Sequence, residues 1–292
     1  MFEENEDILS QRQNPPMPNL GWRPAVTWAL LTVNGLVWLV TTVEGGSENP
    51  DVMLKFGAMF GPLVANGEYW RLFTSVFLHV GIMHLVFNGL GLLIFGQMAE
   101  RIFGRVRFVI IYVLAGLFGG VASYLLNPIS IGAGASGAIF GVLGALASFF
   151  VARRHEMGEL GRQYLTMIAV LAGFNLFYGL ATPGVDNWAH IGGFVGGFAV
   201  GTAFVPQCRY VLGLYGPSYR LVPGSAVGKW WVLPVALSAL FVGILLGTVT
   251  LEENPLTLIH KAERLLDAQE YERVLHETDA AIAQNPTIGR AT

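Results

Sequence analysis

Seven stretches of the chain are nearly free of charge and rich in aliphatic and aromatic residues: 24–43, 82–98, 107–126, 136–151, 164–181, 188–205 and 230–250. A helix needs about 20 mostly apolar residues to cross the hydrocarbon core of a bilayer, so the pattern predicts seven transmembrane helices. The second and fourth stretches are short, and each opens beside a polar motif, which puts those helix ends below the membrane surface. Beyond residue 251 the pattern changes. Leu258, Ala262, Leu265, Leu266, Tyr271, Val274, Ala281 and Ile282 are apolar positions separated by charges, the signature of two amphipathic helices. Ala262, Tyr271, Ala281 and Pro286 fall at the spacings of a tetratricopeptide (TPR) repeat of about 34 residues, a unit that cannot bury its apolar face alone. A solvated helical hairpin or a membrane-surface helix is the other reading of this tail.

Composition agrees with the pattern: 53% of the 292 residues are hydrophobic and only 13% charged, with a mean hydropathy of +0.53. The fold class expected is an all-α polytopic membrane protein. Residues 1–23 are acidic, carry Pro15, Pro16 and Pro18, and lack the basic start and apolar core of a cleavable signal, so they read as a flexible cytoplasmic arm. Of the 17 Lys and Arg residues, Arg12, Arg23, Arg101, Arg105, Arg107, Arg153, Arg154, Arg162, Arg209, Arg220 and Lys229 fall on one side of the seven spans. Positive residues favour the cytoplasm, so this side is inside; the opposite loops hold only Lys55 and Arg71. The organisation expected is an arm at 1–23, a six-helix core at 24–207, a cytoplasmic linker at 208–228, a seventh helix at 229–250 and an extracytoplasmic helical tail at 251–292. A lone cysteine, Cys208, excludes an internal disulfide and a cysteine-cluster metal site. The net charge of −3 gives no reason to expect nucleic acid as a partner.

Polar residues inside apolar segments cost free energy and therefore point to function. Ser136, in Gly134-Ala135-Ser136-Gly137, opens the fourth span, and His190, in Ala189-His190-Ile191-Gly192-Gly193, lies near the start of the sixth. A serine hydroxyl becomes a useful nucleophile when an imidazole takes its proton, so the pair is the minimum equipment for acyl transfer. His84 and Asn88 lie four apart and share a helical face. Together with the Ser136 backbone N–H at a helix N-terminus they could donate hydrogen bonds to an oxyanion; taken alone, they could equally be interhelical partners. Gly137 and Gly141, and Gly193, Gly197 and Gly201, form stripes at intervals of four that let the two helices approach closely. No carboxylate lies inside the apolar stretches as bounded above, which favours a dyad over a triad. Asp186, four residues before His190, reads as a helix N-cap, and Phe140, one turn below Ser136, could provide a stacking floor for the imidazole. Three histidines, His79, His84 and His190, could also ligate a metal, but no acidic residue or cysteine supports such a site.

These motifs resemble the rhomboid intramembrane serine proteases over roughly residues 20 to 205. The resemblance rests on Glu68-Tyr69-Trp70-Arg71, the His79, His84 and Asn88 set, Gly134-Ala135-Ser136-Gly137, and Ala189-His190 followed by Gly193 and Gly197. It implies a six-helix core with Ser136 as nucleophile, His190 as general base, and His84, Asn88 and the Ser136 backbone as the oxyanion hole. It also implies that Trp70 and Arg71 brace the loop after the first span and that His79 is structural. Some rhomboids have tyrosine where this chain has Phe140, which keeps the stacking surface without the hydroxyl. The seventh span and repeat-like tail are similar to the bacterial branch. No cofactor and no metal are implied.

Hydrolysis needs water, so the site is expected in a hydrophilic depression, with Gly81, Gly132 and Gly134 marking irregular backbone around it. Expected substrates are membrane-anchored proteins whose transmembrane segment unwinds near its outer end, with the lipid bilayer as surroundings and a protein partner for the tail as a further expectation. Two other classes are compatible with a polytopic chain. A catalytically inactive rhomboid-like chaperone or adaptor would lack the serine or histidine that this chain keeps. A transporter using buried histidines as a proton relay would call for intramembrane carboxylates or internal repeats.

Overall fold

The computed structural model describes residues 24–213, 216–222, 231–252, 254–267 and 270–284; the arm expected at 1–23 lies outside them. The chain starts with α1 (Ala25–Val43), then crosses a long connection built from three short helices, α2 (Pro50–Lys55), α3 (Gly61–Ala65) and α4 (Arg71–Thr74), and a 3-10 turn (Ser75–Phe77). The second span is α5 (Gly81–Gly91), a π-helical turn (Leu92–Gly96) and α6 (Gln97–Phe103) in succession. Four helices follow: α7 (Arg105–Leu126), α8 (Ser136–Ala152), α9 (Arg154–Ala181) and α10 (Asn187–Phe204). A β-hairpin, α11 (Val232–Leu251) and the tail helices α12 (Pro255–Asp267) and α13 (Tyr271–Gln284) complete the described chain. It is an all-α membrane protein with that one small hairpin added.

Among the described residues, five helical segments are long and apolar enough to cross a membrane: α1, α5 through α6, α7, α9 and α11. The two remaining predicted spans, α8 and α10, form the centre of the bundle. α8 has only 17 residues, and residues 137–150 are all buried. α10 is diluted by Gly192, Gly193, Gly196, Gly197 and Gly201. α8 is ringed by protein and has no lipid thickness to match, while α10 buries its glycine face and leaves Trp188, Ile191 and Val195 exposed; both gain from close packing. A methyl on Gly193 would stand 2.0 Å from the Gly137 carbonyl oxygen and one on Gly197 2.0 Å from that of Gly141, while one on Gly201 would meet Ala145 at 2.7 Å. The register advances in the same direction on both helices, so they are parallel and begin at the same face. α7 closes the trio: a Cβ on Gly119 would lie 2.7 Å from the Ala189 carbonyl oxygen and one on Gly141 2.0 Å from the Ala115 side chain.

Three sequence expectations need correction. The second span continues past residue 98 to Phe103, so Glu100 lies within it and is buried. Its carboxylate accepts from the Val26 N–H at 3.0 Å and from the Thr27 N–H and hydroxyl at 2.8 Å each, capping α1 from a neighbouring helix. The fifth span starts at Arg154, with a break at Gly158 (φ 49°, ψ −130°). The stretch expected to be a linker contains antiparallel strands β1 (Gln207–Gly213) and β2 (Gly216–Val222), paired from Gln207↔Val222 to Gly213↔Gly216. Cys208 falls in β1.

α11 packs on α7 through Gly247 against the Tyr124 ring, and Leu240 and Leu251 join Met59, Val64, Leu72, Val121 and Tyr124 in one apolar cluster. The tail helices form a pair held by Lys261–Glu277 at 2.6 Å, with Leu258, Ala262, Leu265 and Ala281 buried. Of the repeat positions, Pro286 and the Tyr271 side chain lie outside what is described.

Candidate active site

Ser136 is the first residue of α8, and His190 lies in the first turn of the parallel α10. Their neighbours touch directly: a methyl on Gly137 would stand 3.2 Å from the Ala189 carbonyl oxygen. The two residues therefore sit at the same end of the two central helices. Ser136 Oγ lies 3.8 Å from the position a Gly134 Cβ would occupy, and the His84 imidazole lies closer still to that point, with Cε1 at 2.7 Å and Nε2 at 2.8 Å. The space left by the missing side chain of Gly134 thus holds the His84 ring beside the serine. Gly134 also has φ +132°, a conformation costly for any residue with a Cβ, and its N–H is tied to the Ser75 carbonyl at 2.9 Å.

His84 Nδ1 accepts a long bond of 3.4 Å from the Val80 N–H. A neutral imidazole whose Nδ1 accepts carries its proton on Nε2, one of the two ring atoms nearest the Gly134 Cβ position. Asn88 is one turn further along the same helix and is buried. Its Nδ2 donates to the His84 carbonyl at 2.9 Å, which leaves one amide hydrogen for another acceptor. The Ser136 N–H is in the first turn of α8, where helices leave donors unpaired.

His190 lies flat on Phe140, the ring centroids 4.3 Å apart and the planes within 2° of parallel. Its Nδ1 is buried without a hydrogen-bond partner among the described residues, and no Ser136–His190 hydrogen bond is formed among them. Asp186 does not orient this ring. One of its oxygens accepts from the Trp188 and Ala189 N–H groups at 3.1 Å each, and the other accepts from the Ser123 hydroxyl. It is the N-cap of α10. The Ser123 contact was not anticipated, although a serine in the apolar third span was a visible signal.

His79 is fully buried beside His84, the two rings edge to face at 5.3 Å. Its Nδ1–H donates to the Phe77 carbonyl at 3.3 Å. Burial above all, with His84 second, pushes its pKa down to about 4, so the ring is neutral near pH 7. Arg71 is buried in the connection after α1, where its guanidinium donates to Glu68 at 2.7 Å and to the Leu54 and Ala58 carbonyls at 2.7 and 3.1 Å, and lies 4.6 Å from the Trp70 ring. Trp70 in turn fills the space beside Gly57. This braced connection reaches the segment before Ser136: Met59 and Gly132 exchange two backbone hydrogen bonds of 2.8 Å, and the Gly61 N–H donates to the Pro128 carbonyl at 2.8 Å.

Every one of these residues falls in the part of the chain, 66–207, that matches the rhomboid domain family, apart from the contacts preceding it. The YdcA protein of Bacillus subtilis (strain 168) is 34% identical over 178 residues, which cover 60% of this chain and 85% of that one. The chain belongs to the rhomboid family. Rhomboid protease GluP of Bacillus subtilis (strain 168) is 38% identical over 263 residues, covering 90% of this chain and 48% of GluP. RHOMBOID-like protein 1 of Arabidopsis thaliana is 40% identical over 157 residues, covering 53% of this chain and 40% of that protein. The chain thus spans about half or less of the length of these two rhomboid relatives. As a rhomboid with several apolar spans, it is an integral multi-pass membrane protein.

Proposed function

We propose that this rhomboid is an intramembrane serine endopeptidase that cuts membrane-anchored proteins in or next to a transmembrane segment. The observation that carries the reading is the meeting of Ser136, the His84 imidazole and Gly134 at the start of α8, with His190 stacked on Phe140 at the same end of α10. Ser136 Oγ attacks the scissile carbonyl carbon as His190 Nε2 takes its proton. The oxyanion is stabilised by the Ser136 N–H, His84 Nε2–H and the second amide hydrogen of Asn88. The tetrahedral species collapses as His190 returns the proton to the leaving amine, giving an acyl-enzyme and releasing one fragment. A water, deprotonated by the same imidazole, then hydrolyses the ester. Asp186 is engaged with Ser123 and the start of α10, which supports a dyad with Phe140 as the orienting surface.

A helical substrate hides its carbonyls in backbone hydrogen bonds, so cleavage favours segments with Gly, Pro or other weak helix formers near the membrane surface. Lys and Arg placement supports an orientation with the N-terminal arm cytoplasmic and the tail outside, as in a bacterial plasma membrane. The tail pair exposes Leu266, Leu275 and Ile282, which supports a protein partner there. The test is cleavage of a transmembrane reporter by the purified chain in lipid, beside Ser136→Ala and His190→Ala. Cleavage by the native chain that both substitutions abolish, with folding intact, supports the dyad. Cleavage that persists in Ser136→Ala refutes the nucleophile, and no cleavage of any reporter by the native chain favours a client-binding adaptor.

A further inference from the structure

The tail helices do not hang free of the bundle. α12 lies against α3, the short helix in the connection between the first two spans, and the contact is polar and specific. Asn66 Nδ2 donates to the Thr257 carbonyl at 2.9 Å, the Arg264 guanidinium donates to the Asn66 carbonyl at 2.8 Å, and the Phe60 and His260 rings meet edge to face at 5.9 Å. Thr257 and Leu258 are buried in the process. α3 is the same element whose other edge holds the segment leading to Ser136, through Gly61 N–H to Pro128 and the Met59–Gly132 bridge. Beneath it, Met59 and Val64 share an apolar cluster with Leu240 and Leu251 of α11, so the approach from α11 to α12 is anchored as well.

One short helix is thus clamped between the tail on one side and the serine loop on the other. An oxyanion site tolerates little displacement, because its donors act only when held at hydrogen-bond distance from the developing charge. Gly132, Gly134 and the first turn of α8 have no regular secondary structure ahead of them to hold them in place; the bonds to Met59, Pro128 and Ser75 do so. We propose that Asn66 and Arg264 are positioning residues, through which the tail pair fixes α3 and so the loop that presents Ser136. The tail is then a brace whose engagement sets how reactive the serine is, and a partner bound to the tail would tune cleavage without touching substrate. This inference rests on the protease reading above.

A small fluorophosphonate that labels active serines separates a brace from a substrate-recruiting arm, because it is too small to reach the tail. In the full chain in lipid, the Asn66→Ala, Arg264→Ala double variant is expected to label Ser136 at least tenfold more slowly than the native chain, and Arg264→Lys, which keeps a donor, is expected to recover most of the rate. On a transmembrane reporter kcat falls while KM stays near its native value. Unchanged labelling, with a raised KM, overturns the brace and makes the tail a recruiting element. Hydrogen exchange gives a reading that does not depend on activity: the Met59 and Gly132 amides exchange faster in the double variant, and native protection there also overturns the proposal. A native chain that the probe does not label at Ser136, yet whose double variant shows the faster exchange, would refute the protease reading and leave the mechanical coupling standing.

Discussion

Gly134 concentrates more of the site's requirements than any charged residue does. Its φ of +132° and the His84 ring within 2.8 Å of its absent Cβ are independent reasons why no side chain fits there. Gly134→Ala is expected to strain the loop and push His84 from its place beside Ser136, lowering kcat by about 100-fold or more, the scale of losing one oxyanion donor. Steady-state cleavage of a reporter checks this, and a variant as active as native would mean that His84 is not a donor. His79 gives a pH prediction. Its pKa is lowered by burial to about 4 from an ordinary 6.5, so the unfolded chain binds more protons between those values. Its contribution to stability is complete above about pH 6.5 and is lost as pH falls toward 4. Thermal melting across that window is expected to show a fall that His79→Phe, of similar volume and without a titrating group, reduces. The polar residues of the site were legible because each stands out in an apolar run, as Ser136, His190, His84 and Asn88 do. The single hydrogen bond that ties half of Asn88's donor capacity to the His84 carbonyl was not, since spacing shows a shared face and not which atoms pair.

At the scale of the helices, each of the seven apolar stretches falls on a helix, five of them long and apolar enough to cross a membrane among the described residues, but the pattern missed where they end. Glu100 was excluded from its span because charge usually marks a boundary, yet it is buried as the cap of α1. Glu100→Ala removes the acceptor of three hydrogen bonds, two of them from the buried Thr27 and one from the partly buried Val26, and the unsatisfied groups cost about 2–4 kcal/mol. Its thermal midpoint in detergent is expected to drop by several degrees, whereas Glu100→Gln, which keeps one oxygen acceptor, should lose less. The glycine stripes were legible as a packing surface, and their register was not: that Gly197 faces Gly141 rather than lipid depends on both helices. Gly197→Ala would bring a methyl to 2.0 Å from the Gly141 carbonyl oxygen. The helices must separate, at a cost of about 1–3 kcal/mol. Because Ser136 and His190 lie at one end of this same contact, activity is expected to fall more than stability does. Equal activity after such a separation would show that the dyad tolerates a looser interface than the packing suggests. The strand pair Gln207–Gly213 and Gly216–Val222 escaped notice because it lies where only a connection between spans was expected.

At the scale of the whole molecule, the docking of α12 on α3 fixes a relation that hydropathy alone leaves open. α3 also holds the segment before Ser136, so the tail and the mouth of the site share one side of the membrane whichever way the chain is inserted. An amphipathic pattern announces that α12 has a face to bury, but not against which partner, which is why this relation had to come from the fold. Of the two insertions, the one proposed from the positive residues puts the tail outside. Cys208, the lone thiol, lies in β1 after α10, which is separated from Ser136 by the length of a span. Replacing it with serine and placing a single cysteine at the exposed His276 gives a clean pair of reporters. In intact spheroplasts a membrane-impermeant maleimide is expected to label the His276→Cys chain and spare the native Cys208, with both labelled after lysis. Labelling of Cys208 alone would reverse the orientation while keeping tail and site together. Labelling of both before lysis would break the more basic claim that the span count separates them, and with it the placement of the site at the outer face, where water and the unwound end of a substrate helix can meet.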